Sequence, residues 1–490
     1  MEGSDGYWLT RFVFQRGLGA IYLCAFLVVV NQFRPLLGEN GLLPVPRFIR
    51  QISFRHAPGI FHFFPNDRAF AFFGWLGVLL AALATAGISE RFGTGVSMAV
   101  WALLWVLYLS FVNVGQTFYG FGWESLLLES GFLAIFLGAA DTEPSAVIIW
   151  LLRWVLFRVM FGAGLIKLRG DPCWRDISCL DWHFETQPMP NPLSWFFHWL
   201  PRRVHQAGVL FNHLVEVVVP FFYFAPQPIA GIAGLLTILF QGSLIVSGNF
   251  SWLNHLTLVL AFSTFDDSLL KMVLPLAPPP LVEPSFLLSA LAWAVALLVA
   301  VRSISPARNL LSKDQIMNTT YDPCHLVNSY GAFGSITRPR YEIVLEGTAE
   351  GTPATASWRP YEFKGKPGDP HRLPPQVAPY HLRLDWLMWF AAMPSPYYPS
   401  WFIHLLAKLL AGDAATLGLL KGNPFPDAPP KYVRALYYRY RFTTPEERRR
   451  SGCWWHRELV GTYFPPVSLA DPEFRELLRS LGRGKGGGNM

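Results

Sequence analysis

Charged side chains make up only 15% of the 490 residues, against the quarter or so usual in soluble globular proteins. So little charge excludes a chain bathed in water throughout, and the 52% hydrophobic and 16% aromatic content points the same way. Cysteine is scarce as well. Cys24, Cys173, Cys179, Cys324 and Cys453 are too few for a disulfide-built scaffold and lack the paired spacing of a zinc site, so no metal is expected. GxSxG, a Walker loop and HExxH are all missing, which removes hydrolase and nucleotide-driven chemistry of the familiar kinds. No nucleic-acid motif accompanies the net charge of +7, so nucleic acid is not expected as a partner, and no cofactor is implied. The first apolar run starts only after Arg16 and is long enough to stay as a span, so a cleavable signal peptide is not expected.

What is present is long uncharged sequence. Stretches 17–33, 69–89, 92–123, 217–265 and 284–301 carry no Lys, Arg, Asp or Glu, and a span needs about 20 mostly apolar residues. Divided at turn signals, they and the run around 146–166 predict nine helices, near 14–32, 69–88, 95–113, 124–139, 146–166, 207–225, 229–247, 252–265 and 284–301. The fourth and eighth are short enough for partial spans. Trp75, Trp101, Tyr119, Trp123, Trp150 and Trp252 fall near helix ends, where an interfacial belt would place them. Segment 34–68, with RFIRQISFRH, reads equally as a surface amphipathic helix or as a solvated loop.

Charge divides the chain near Arg302. Residues 1–301 hold 16 Lys and Arg against 17 Asp and Glu, whereas 302–490 hold 24 against 16, a basic excess suited to acidic lipid headgroups or to an acidic partner. In that second part, 340–349 and 358–364 alternate like strands, 382–393 and 400–412 have helical spacing, and 433–442 and 453–460 read as strands about a TPEERRR turn. The expected fold is thus an α-helical polytopic membrane bundle over 1–301, an extramembrane α+β domain over 302–480, and a disordered Gly-rich tail over 481–490.

Several polar residues interrupt the apolar region. Glu124 and Glu129 lie in GFGWESLLLESGF, and Arg153 and Arg158 in LLRWVLFRVMFGAGLIK. Intramembrane charges are costly and face partners or a cavity. The simplest arrangement pairs the two arginines with the two glutamates, as helix-fixing ion pairs or as a polar chamber. Asn212, His213 and Glu216 form a second group, with His213 and Glu216 on one helix face. Lys167 ends the fifth helix, either snorkelling to the headgroups or acting as a desolvated base. The loop GDPCWRDISCLDWHFETQPMPNP (170–192) concentrates Cys173, Cys179, four acids and His183. Five residues separate the cysteines, which allows a small looped disulfide in an oxidising compartment.

Long blocks of this chain resemble one family. WLTRFVFQRGLGAIYLCAF, LLGENGLLP, YGFGWESLLLESGFLAIFL, GDPCWRDISCLDWHFETQPMPNP, LIVSGNFSWLNHLTLV, LVNSYGAFGSITRPRYEIVLEGT, YHLRLDWLMWFAAM and GNPF are similar to the lipase maturation factor family, from about residue 7 to about 470. The resemblance implies a multi-pass endoplasmic-reticulum membrane protein with a lumenal C-terminal domain. It would act without catalysis as a chaperone-like factor for secreted lipases or other secreted clients. Against the family the chain is short, poor in cysteine and without a KDEL-type ending, and a bacterial source would place it in the plasma membrane. A fainter likeness joins FGAGLIKLRGDPCW to vitamin K-dependent γ-carboxylase and its bacterial membrane relatives. There the matching lysine is a catalytic base, which would make Lys167 a base here, with His183 beside it.

Orientation is contested. With nine spans, the side of the C-terminal domain holds about 13 basic residues in short loops and flanks against about 4 opposite, which the positive-inside rule would put in the cytoplasm. The family implies the lumen, and two sequons on that side, at Asn249 and Asn318, agree with it. The lumenal placement is the expectation carried forward, and with it a Cys173–Cys179 disulfide.

Overall fold

The computed structural model describes residues 6–483, and apolar helices carry its first half. They are α1 (Trp8–Leu37), α2 (Asp67–Thr85), α3 (Thr94–Asn113), α4 (Gly122–Ala134), α5 (Ala146–Arg169), α6 (Arg202–His213), α7 (Ile229–Ser247), α8 (Leu253–Ala261) and α9 (Phe286–Arg302). Side chains start several of them: the Asn66 amide oxygen accepts from Ala69 N before α2, and the Ser285 hydroxyl accepts from Leu288 N before α9. The helix α6 does not end cleanly. It widens into a π turn over Leu214–Val218, then tightens into a 3₁₀ turn, Val219–Phe224, around Pro220.

Among the described residues, seven helical stretches are long and apolar enough to cross a membrane, Arg202–Phe224 being one. The two expected spans that fall short are α4 and α8. At 1.5 Å per residue, the 13 residues of α4 reach only about 20 Å of a core about 30 Å thick. The aromatic belt is a partial correction. Trp75 and Trp150 face outward, but Trp101, Tyr119, Trp123 and Trp252 are buried between helices. Of segment 34–68, the ends belong to α1 and α2, and 38–66 is a loop holding one short helical turn, Val45–Phe48, and a 3₁₀ turn, not an amphipathic helix.

The C-terminal part is built on β1 (Arg340–Thr348), β2 (Arg359–Tyr361), α10 (Arg383–Ala391), α11 (Ser400–Leu410), β3 (Tyr432–Phe442), α12 (Pro445–Ser451), β4 (Trp455–Val467) and α13 (Pro472–Arg483). The strands form one antiparallel sheet in the order β2-β1-β3-β4, with Arg340 opposite Tyr440 and Thr348 opposite Tyr432. The expected TPEERRR turn is a capped helix. Thr444 Oγ1 accepts from Glu447 N while the Glu447 carboxylate accepts from Thr444 N, and the helix closes at Gly452 with φ 72°. Of the tail expected over 481–490, residues 481–483 complete α13, which corrects that boundary; residues 484–490 lie outside the described residues.

Segments of the two parts bind one another closely. Gln32 of α1 donates to the His381 carbonyl and accepts from Arg383 N, at 2.7 and 3.0 Å. Arg340 of β1 donates to the carbonyls of Glu185 and Pro188, both at 3.0 Å, in the loop after α5.

Candidate functional site

The densest polar site lies where α5 meets the π turn. Two glycines of α5 admit neighbours on two sides. A Cβ on Gly162 would stand 2.4 Å from the Tyr330 carbonyl oxygen, and one on Gly164 would stand 3.0 Å from the backbone of Glu216. Backbone this close brings Lys167, one turn further along, against Glu216. Lys167 Nζ donates to both Glu216 carboxylate oxygens, at 2.7 and 2.8 Å, and to Asn212 Oδ1 at 2.8 Å. Those bonds engage all three ammonium protons. Asn212 Nδ2 in turn donates to Glu216 at 3.0 Å, and the Trp174 ring lies 4.9 Å from Nζ. Lys167 is 4% exposed.

This arrangement corrects one expectation. Lys167 does not snorkel but is held by Asn212 and Glu216, while Asp171 takes Arg338, with Nη2 to Oδ1 at 2.8 Å. That hydrogen bond holds the Asp171 carboxyl well below its ordinary range. His213 and Glu216 both reach this site. The π turn starts directly after His213, whose Nε2 lies 2.9 Å from the Trp174 carbonyl oxygen, while Glu216 turns to Lys167.

The loop beside this site is tied down. Cys173 and Cys179 are joined in a disulfide with Cα atoms 4.8 Å apart. Asp171 caps Cys173 N at 3.0 Å, and Trp174 Nε1 donates to the Phe333 carbonyl at 2.9 Å. His183 packs among Phe184, Phe250 and Phe333. Burial, with the positive charge of Lys167 adding to it, lowers its pKa to about 3, so the ring is neutral at pH 7.

The four intramembrane charges do not form two Arg–Glu pairs with one another. Arg158 does pair with Glu129 and also donates to the Asn328 carbonyl at 2.7 Å; Tyr330 Oη donates to Glu129 at 2.6 Å. Glu124 pairs instead with Arg383 of α10, Nη1 to Oε1 at 2.7 Å, and accepts from Tyr108 Oη. The Arg383 guanidinium lies 3.4 Å over the Tyr119 ring. Arg153 meets carbonyls, donating to Ser263 O at 2.7 Å and Tyr223 O at 3.2 Å, beside the Trp150 ring.

The two sequons part company. Asn249 is fully buried, its amide donating to Pro190 and Pro375 carbonyls and its oxygen accepting from Val377 N and Ala378 N. An amide so engaged cannot carry a glycan in this fold, which corrects that expectation. Asn318 is exposed. Two buried clusters escaped sequence reasoning: Arg383 with Glu124, and Arg340 with Lys366 around Glu342. Their signal in the sequence was an arginine opening a helix or strand rich in apolar residues. Among the described residues no group of three His, Cys, Asp or Glu side chains could hold a metal ion.

Comparison with known proteins follows this geometry along the chain. Residues 9–272 match the Lipase maturation factor transmembrane domain, and 326–465 match the Lipase maturation factor C-terminal domain. Human Lipase maturation factor 1 is 42% identical over 96% of this chain and 90% of its own length. The bovine protein of that name is 44% identical over 95% and 90%, and human Lipase maturation factor 2 is 30% identical over 98% and 85%. No solved structure matches the chain. Alike in both parts and over nearly their whole length, the chain belongs to the lipase maturation factor family.

Proposed function

We propose that the chain is a non-catalytic, membrane-bound maturation factor that assists the folding and assembly of secreted lipases or other secreted proteins. It would do so in the endoplasmic-reticulum membrane, with its C-terminal domain in the lumen. The observation that carries this reading is similarity in both parts to proteins whose names state lipase maturation. The Cys173–Cys179 disulfide supports the lumenal side, since such bonds persist in oxidising compartments. Lys167 argues against the rival, a γ-carboxylase-like enzyme. A general base needs a free lone pair within reach of substrate, whereas this ammonium is buried and spends every proton on Glu216 and Asn212. On the same reading the Glu129–Arg158 and Lys167–Glu216 pairs hold neighbouring helices in place.

The test is secretion of active lipase from cells lacking their own maturation factor. The chain should restore secretion and be recovered with immature lipase from gently solubilised membranes. Normal expression without restored secretion of any lipase would overturn the reading.

A further inference from the structure

The stretch Arg202–Phe224 is long and apolar enough to span a membrane, and the residues that precede a span belong by position to the interface. Phe196 and Trp199 are 52% and 40% exposed there, and Arg202 and Arg203 follow them, also exposed. Aromatic rings flanked by arginines are the usual composition of an interfacial segment. An element of the distant sheet domain reaches the same place. Trp195 and Trp199 both donate through Nε1 to the Thr443 carbonyl, at 2.8 and 3.1 Å, directly before α12. Trp454, directly after it, packs on Trp195 and Phe196 with centroids 5.8 and 6.2 Å apart, and the Arg448 guanidinium stacks 3.5 Å over Trp454.

We propose that α12 and the segment before α6 form a membrane-surface anchor that binds the phosphate groups of anionic phospholipids in the chain's own bilayer. The occupant follows from charge and position. Exposed Arg449 and Arg450 on α12 stand with Arg202 and Arg203 beside the start of a span. Of the nearby acids, Glu447 is held by Arg441 through two 2.7 Å bonds, and Asp181 lies 3.0 Å from His205 and 3.6 Å from Arg202. Glu446 is 3.8 Å from Arg449. Arg203 and Arg450 are exposed and pair with none of these acids, and basic residues close to an anionic leaflet are attracted to it. The anchor would fix how the sheet domain stands on the membrane.

The full chain, reconstituted in nanodiscs with or without phosphatidylserine in phosphatidylcholine, carries a photocrosslinking residue in place of Ser451. Illumination should give a phospholipid adduct that depends on phosphatidylserine and falls about thirtyfold in Arg449→Gln/Arg450→Gln, from the attraction of two arginines. Lysines at both positions should restore it. These side chains are exposed, so folding is not at risk, and an unchanged melting temperature checks that. An adduct equal with and without phosphatidylserine, or no lipid adduct, would overturn the proposal. So would a protein adduct in native microsomes in its place, which would make the patch a protein-docking surface.

Discussion

Glu124 and Glu216 are both buried carboxylates in the apolar half of the chain, and they obtain their cations in opposite ways. Glu216 finds Lys167 on an adjacent helix, with Asn212 one turn away closing the set. Glu124 has no basic neighbour among the spans; its partner, Arg383, comes 259 residues later from the sheet domain, through a segment that Gln32 also holds. The first pair can fix only two helices against each other. The second makes burial of a bundle charge conditional on docking of the other domain, so the two parts stabilise one another.

Breaking the second pair should therefore do the most damage. Arg383→Ala leaves Glu124 and Tyr108 without their cation and should cost about 3–5 kcal/mol, the range for removing one partner of a buried pair. Limited proteolysis and thermal unfolding of the detergent-solubilised protein would show it as cleavage between the domains at lower temperature. A variant as resistant as the parent would mean that the domains dock without this contact.

Removing the disulfide sharpens the same contrast from the loop side. By the loop-closure argument a ring this small contributes about 2 kcal/mol, so Cys173→Ala/Cys179→Ala should lower the melting temperature less than Arg383→Ala does. An equal or larger drop would shift the weight of interdomain docking onto loop 170–192.

Acid probes the Glu124 site through His381. His381 faces Glu124 at 3.8 Å and neighbours Arg383; burial, then the charge of Arg383, lowers its pKa from 6.5 to about 4. The fold binds the neutral ring, so the unfolded chain takes up the proton first. Stability is fully present above pH 6.5 and drains as pH falls toward 4, by about 1 kcal/mol near pH 5.5. His381→Phe should flatten the decline of melting temperature between pH 7 and 5.5; an unaltered slope would assign it to other groups, such as His183 and His198, whose pKa values are lowered to about 3 and about 4.

The smallest effect concerns the sequons. Asn318→Gln should remove a glycan-dependent mobility shift and leave the melting temperature unaltered, whereas Asn249→Gln should destabilise without changing mobility. The reverse pattern would contradict the burial of Asn249.

Sequence legibility follows the range of each force. Helices set by local hydropathy were readable, down to the shortness of α4 and α8, and so were the strands of the sheet, whose alternation is local too. Pairing was not. That the bundle's arginines would meet its glutamates holds for Arg158 and Glu129, both on helices of the bundle, but nothing near Glu124 points to Arg383, and Arg153 uses carbonyls, which any sequence supplies. The π turn over Leu214–Val218 escaped as well, because no local residue signal marks where a helix widens. Lys167 looked like a span end because its companions, Asn212 and Glu216, lie beyond an intervening loop.

That the buried charges serve structure rather than catalysis is tested most directly by replacing the Lys167 pair together. Lys167→Met/Glu216→Gln removes every proton a base could handle while keeping volume and the bond to Asn212, and replacing both members of a buried pair is often tolerated. In cells lacking their own maturation factor, the double variant at matched expression should secrete active lipase as the parent chain does. Loss of secretion by a variant that melts and inserts normally would contradict the account and make Lys167 a catalytic group.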